Sequence, residues 1–85
     1  MPSRTQTYAA VDSEREYQES RWPGHTHEIE SYLLYMQDYM NECIHVISRS
    51  DGSTAYPIAL NIIRKVTALG IACMEQHGAP IREGF

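Results

Sequence analysis

Arg64 and Lys65 stand side by side in the middle of an otherwise apolar run, Ala59 to Met74, where a charge needs a reason to be. Fixed cations on a packing helix point to an anion held between helices, since a charge on apolar surface is costly until a partner offsets it. In a phosphate clamp, Arg offers a bidentate fork and Lys a point charge. The two side chains leave a helix in different directions, so at most one aims straight at any given pocket. The competing reading is a solvated flank whose stems lie over apolar surface. Arg15 and Arg21, earlier in the chain, can add to the clamp.

Aromatic residues supply the second ingredient. Tyr32, Tyr35, Tyr39, Glu42 and Val46 recur at spacings of three, four, three and four, which places them along one side of a helix. Such tyrosines fill a seam between subunits, or one of Tyr35 and Tyr39 stacks on a nucleobase; the two roles are compatible. Glu42 would then accept from a base amine or a ribose hydroxyl. His25 and His27 flank Thr26, and a pair at that spacing ligates a metal only from a loop or strand; no third ligand is fixed nearby. No Ser or Cys stands near a His-plus-carboxylate pattern, so nucleophilic catalysis is not expected, and neither is a cofactor.

Helices must position these residues. Residues 1–11 carry no lasting periodicity and are expected as an extended arm, with Tyr8 as its one large anchor. Ser13 and Glu16 have capping-box spacing, which predicts a short helix over about 13–21, stopped by Trp22-Pro23-Gly24. Thr26 can cap a second helix over 27–48, whose seam is Ile29, Leu33, Met36, Met40, Cys43 and Ile47. Ser48 to Thr54, centred on Asp51-Gly52, reads as the loop between antiparallel helices. The third helix is expected over 55–77, with Pro57 in its first turn and a seam of Ala59, Ile62, Val66, Leu69 and Cys73. Gly70 within it implies close approach by another helix or by a ligand. The expected fold is all-α: one helical domain over residues 12–85, in which an antiparallel two-helix pair assembles into an oligomeric bundle.

Bulk properties narrow the function. A chain of 85 residues has limited core, so a homo-oligomer is expected as a way to bury more surface. A net charge of -4 without a Lys/Arg-rich run argues against general nucleic-acid binding, but leaves room for one small anion in a local basic pocket. Cys43 and Cys73 lie within apolar helical patterns and read as buried free thiols of a reducing cytoplasm. No signal peptide is visible and no apolar run is expected to reach the roughly 20 residues of a membrane span. A cytoplasmic protein without a membrane partner is expected, within a host cell if a phage encodes it.

Three segments carry a family resemblance: Ser13-Glu-Arg-Glu-Tyr-Gln18 with Arg21-Trp22, the Tyr32 to Cys43 helix, and Ala59 to Arg82 with its Ala72-Cys-Met-Glu-Gln-His-Gly-Ala-Pro80 end. Over about two-thirds of its length the chain resembles the MazG-like nucleotide pyrophosphohydrolases, and more closely the small MazG-like proteins of tailed phages and prophages. The resemblance implies an all-helical fold and a magnesium site built from Glu-x-x-Glu on one helix and Glu-x-x-Asp on the next. Those positions fall on Tyr39 and Glu42, then on Ile62 and Lys65, so only Glu42 of the four acids is present. A Lys ammonium in place of a carboxylate repels magnesium.

The expectation that follows is a non-enzymatic phage-type protein that holds a small anionic nucleotide and could sequester an immune signal of the cyclic oligonucleotide or cyclic ADP-ribose class. Lys65 and Arg64 would contact phosphates. A small phage inhibitor that binds a host defence or transcription protein is the alternative, and a residual magnesium-dependent pyrophosphohydrolase the third.

Overall fold

The computed structural model describes residues 1–50 and 52–84. Among them are three helices and no strand: α1 (Arg4–Arg21), α2 (Ile29–Arg49) and α3 (Gly52–His77).

The N-terminal segment is helical rather than extended. Ser3 and Gln6 form a capping box closed in both directions: Ser3 Oγ accepts from the Gln6 amide at 3.1 Å, and Gln6 Oε1 accepts from the Ser3 amide at 2.8 Å. Ser13 therefore lies mid-helix, where its hydroxyl donates to the Ala10 carbonyl at 2.6 Å. Val11, expected in the arm, is buried. The helix ends at Trp22, as anticipated, and Gly24 takes a φ of 70° in the turn.

The other boundaries shift less. Glu28 rather than Thr26 precedes α2, with no side-chain cap bond. α3 begins at Gly52, which moves Pro57 into the second turn. Asp51, expected at the loop centre, lies outside the described residues. Gly78, at φ 123°, ends α3 and donates its amide to the Met74 carbonyl at 2.8 Å.

α3 is the central element. It packs against α1 and against α2, while the backbones of α1 and α2 do not come together. Small residues permit this: Ala55, Ala59, Ala68 and Ala72 on α3 are all buried. Cys43, Ala59 and Ile62 make the core cluster, with Tyr39, Val46 and Val66 packed on it. The α3 seam expected from Ala59, Ile62 and Val66 is thus in place. Cys43 is buried and Cys73 half-buried, both as free thiols.

The two stripes of α2 exchange places relative to expectation. Tyr32 is buried and Tyr39 joins the core cluster, so these two tyrosines of the stripe face inward, while Tyr35 and Glu42 stay exposed. Of the aliphatic stripe only Cys43 is buried; Ile29, Leu33, Met40 and Ile47 are exposed. The physical reason is a polar partner on α3: Tyr32 buries its ring because Gln76 Nε2 donates to its hydroxyl at 2.7 Å. At about 100° per residue the two stripes lie on adjacent sides of one helix, so turning the tyrosines toward α3 turns the aliphatic stripe away. Met36 sits between them and packs over Gly70, where an added Cβ would meet its methyl at 3.5 Å, an ordinary contact.

Candidate functional site

Because α1 and α2 both rest on α3 without meeting, a cleft of about 590 Å³ opens between them. Its floor is one side of α3, where Lys65, Leu69, Ala72 and Gln76 recur at spacings of four, three and four. α1 contributes Glu14, Tyr17 and Gln18 to one wall, with Trp22 just past its end, and α2 contributes Tyr32, Tyr35, Asp38 and Tyr39 to the other. His25 and His27, in the connection between these helices, close one end.

Hydrogen bonds fix that closed end. Gln76 Nε2 donates to the Tyr32 hydroxyl and, at 3.0 Å, to the His25 carbonyl; its Oε1 accepts from the His27 amide at 3.1 Å. His77 Nε2 donates to the His27 carbonyl at 2.7 Å. The His25 and His27 ring nitrogens are 3.4 Å apart, one donating and one accepting. The His27 ring meets the edges of Tyr32 and Tyr35 at centroid distances of 5.4 and 5.3 Å. Burial pushes the Tyr32 hydroxyl above its ordinary pKa, so it stays a neutral phenol.

The charges of the cleft divide into committed and uncommitted ones. Arg64 Nε donates to buried Glu14 at 2.8 Å, and its Nη1 donates to Asn61 Oδ1 at 2.7 Å. Arg15 donates to Glu75 and, at 3.1 Å, to Glu19. Burial opposes the Arg15 charge, yet its hydrogen bonds to Glu75 and Glu19 outweigh it and hold the guanidinium above its ordinary pKa. The Gly24 amide and then Arg15 lower the Glu19 carboxyl below its ordinary value. Lys65 forms no ion pair among the described residues; its Nζ lies 5.9 Å from the Tyr39 ring centroid. Asp38 likewise stands on the wall without an ion pair among those residues.

Of the residues singled out in the sequence, Lys65, Tyr39, Tyr35 and Arg15 come together around this cleft. Arg64 does not: it turns about 100° away from Lys65, toward α1 and Glu14. Arg21 lies beside Trp22, its guanidinium carbon 6.0 Å from the ring, and Glu42 is exposed; neither lines the cleft. Sequence reasoning missed Trp22, Gln18, Asp38 and Gln76. Gln76 alone carried a signal, sharing the helical spacing of Lys65 and Leu69.

Gln18 has a distinctive role in the wall. Its Nε2 donates to the Lys65 carbonyl at 3.3 Å, which fixes the amide's orientation, and its Oε1 is buried with no partner among the described residues. A buried acceptor of this kind calls for a donor.

The magnesium site of the resembled family does not fit. Ile62, at one acid position, is core; Tyr39 packs on that core, and Lys65 places an ammonium where a carboxylate is needed. Among the described residues no group of three or more His, Cys, Asp or Glu is arranged to hold a metal ion. Comparison with protein families, characterised proteins and solved structures finds no match to this chain.

Proposed function

We propose that this protein binds a nucleotide through its aromatic rings and a single phosphodiester charge, and releases it unchanged. The observation that carries the proposal is the pairing of one uncommitted ammonium, Lys65, with tyrosine faces in one cleft. Glu14 pairs with Arg64 and Arg15 is shared between Glu19 and Glu75, so Lys65 is the cleft cation outside any ion pair among the described residues, with Asp38 on the wall as an acceptor. One ammonium can pair with one phosphate at a time, and the two or three charges of a cyclic ligand ask less of it than the clustered charges of a nucleoside triphosphate. Tyr35, half-exposed, offers a stacking face, and Gln18 Oε1 an acceptor for a base amine. The cleft volume falls within the range of small-molecule sites.

Sequestration of a cyclic oligonucleotide or cyclic ADP-ribose type signal, in the manner of a phage protein that removes an immune messenger, is the biological role that fits a binder without a metal site. The likeness to small MazG-like phage proteins supports it by analogy. In this role α2 and α3 act as an antiparallel pair within a homo-oligomer in the cytoplasm. Contacts of Cys43 with Ala59 and of Tyr32 with Gln76 are consistent with that pairing. Thermal-shift screening against cyclic di- and trinucleotides and cyclic ADP-ribose isomers, with ATP as comparator, tests the proposal. Stabilisation by a cyclic ligand above that by ATP is expected; equal indifference to every compound by the folded protein contradicts it.

A further inference from the structure

We infer that the side of α2 and α3 facing away from the cleft is a contact surface for a second copy of this chain. On α2, Ile29, Leu33, Met40, Ile44 and Ile47 are each 39–61 % exposed and fall within about 60° of one another around the helix. On α3, Tyr56, Leu60, Ile63 and Met74 are 44–65 % exposed and share one stripe. Lys65 lies on the other side of α3, so this stripe and the cleft face opposite directions. The Met36–Gly70 contact joins the two stripes into one apolar face.

Size makes this face more than scattered exposure. About half of nine large side chains, each of roughly 180 Å², amounts to on the order of 800 Å². That exceeds the few hundred Å² usual for a monomer's largest patch and matches one side of a standard protein interface.

Self-complementarity selects the occupant. Leu33, Met40 and Ile47 are spaced by seven residues, the period of helices that pack lengthwise on their own kind. Met40 is the midpoint, so a twofold axis through it sets Leu33 of one copy against Ile47 of the other. The flank of the stripe away from α3 carries Glu30 in the first turn of α2 and uncharged Gln37, Asn41 and Ser48 along the rest, which keeps charge off the centre of the face. A lipid surface is the other candidate occupant, since α3 is long and apolar enough to cross a membrane by length and composition alone. Arg64 and Lys65 at its middle, on the sides facing α1 and the cleft, favour the protein partner.

Sedimentation velocity of the full chain tests this inference independently of any ligand. Wild-type protein is expected at twice the 9.7 kDa chain mass or more, and Met40→Glu at 9.7 kDa with its helical circular dichroism retained. Lys65→Ala, on the opposite side, should keep the wild-type mass. Should Met40→Glu fail to fold, dilution of wild type decides: a mass and Tm that fall with concentration support the inference. A wild-type mass of 9.7 kDa at all concentrations overturns it, as does a Met40→Glu variant that keeps the wild-type mass. A monomer that floats with phosphatidylcholine–phosphatidylglycerol vesicles assigns the face to lipid instead.

Discussion

The Lys65 ammonium stands 5.9 Å from the centre of the Tyr39 ring, whose other contacts are with the core cluster of Cys43, Ala59 and Ile62. The ring is therefore held by packing, and it holds the cation at one place over its face with an attraction of about 0.5–1 kcal/mol. Because the Lys65 carbonyl also accepts from Gln18, the residue is tied to both walls of the cleft. The ring contact biases the ammonium toward the cleft by a factor of a few, and the Gln18 bond fixes the backbone that carries it.

Tyr35 separates stacking from stability. Its ring is 45 % exposed and contacts the His27 edge, outside the core cluster. Tyr35→Ala is expected to weaken nucleotide binding by about 1–3 kcal/mol, with Tyr35→Phe close to wild type. Chemical denaturation should move little in either variant.

Arg64 is expected to matter for folding and not for binding. Arg64→Ala leaves Glu14, 8 % exposed, without its ion partner, at a cost of about 1–3 kcal/mol in urea denaturation. Adding Glu14→Gln should recover part of that loss. Ligand affinity should change by less than about twofold, as for a residue remote from the site.

Which of two adjacent cations would reach the cleft was not legible from Arg64 and Lys65 themselves, because it depends on where Glu14, 50 residues away, comes to rest. Periodicity did locate α2 and α3 to within a few residues. It could not say which stripe of α2 faces inward, since both are apolar enough to be buried. The Gln76–Tyr32 bond that decides the matter joins residues 44 apart. The start of α1 was readable in principle: Ser3 and Gln6 have the same spacing as Ser13 and Glu16, and only the former pair lies at a helix end.

Gln18→Leu should separate the ligand-free from the bound state. It removes a buried acceptor that lacks a partner among the described residues together with the Nε2 bond to the Lys65 carbonyl, two effects of opposite sign, so the stability of the free protein is expected to move by less than about 1 kcal/mol. Binding of a base that donates to Oε1 should weaken, and calorimetry on the variant reads both quantities.

Acid should loosen the turn between α1 and α2. The Gly24 amide and Arg15 hold Glu19 below its ordinary 4.5, so the native state binds fewer protons than the unfolded one between those two values. The Glu19 contribution is complete above 4.5 and is lost as the pH falls through the lowered native value. Tm measured from about pH 6 to pH 3 should therefore drop less steeply in Glu19→Gln than in wild type.

The most direct test of nucleotide capture is isothermal titration of a cyclic dinucleotide panel into wild-type protein and into Lys65→Met. Wild type should bind at least one member, with Kd raised about 10- to 100-fold by the substitution at unchanged thermal stability, and with affinity falling as salt rises. Equal affinity in the two proteins, or binding of none by a folded wild type, contradicts the role given to Lys65 and its cleft.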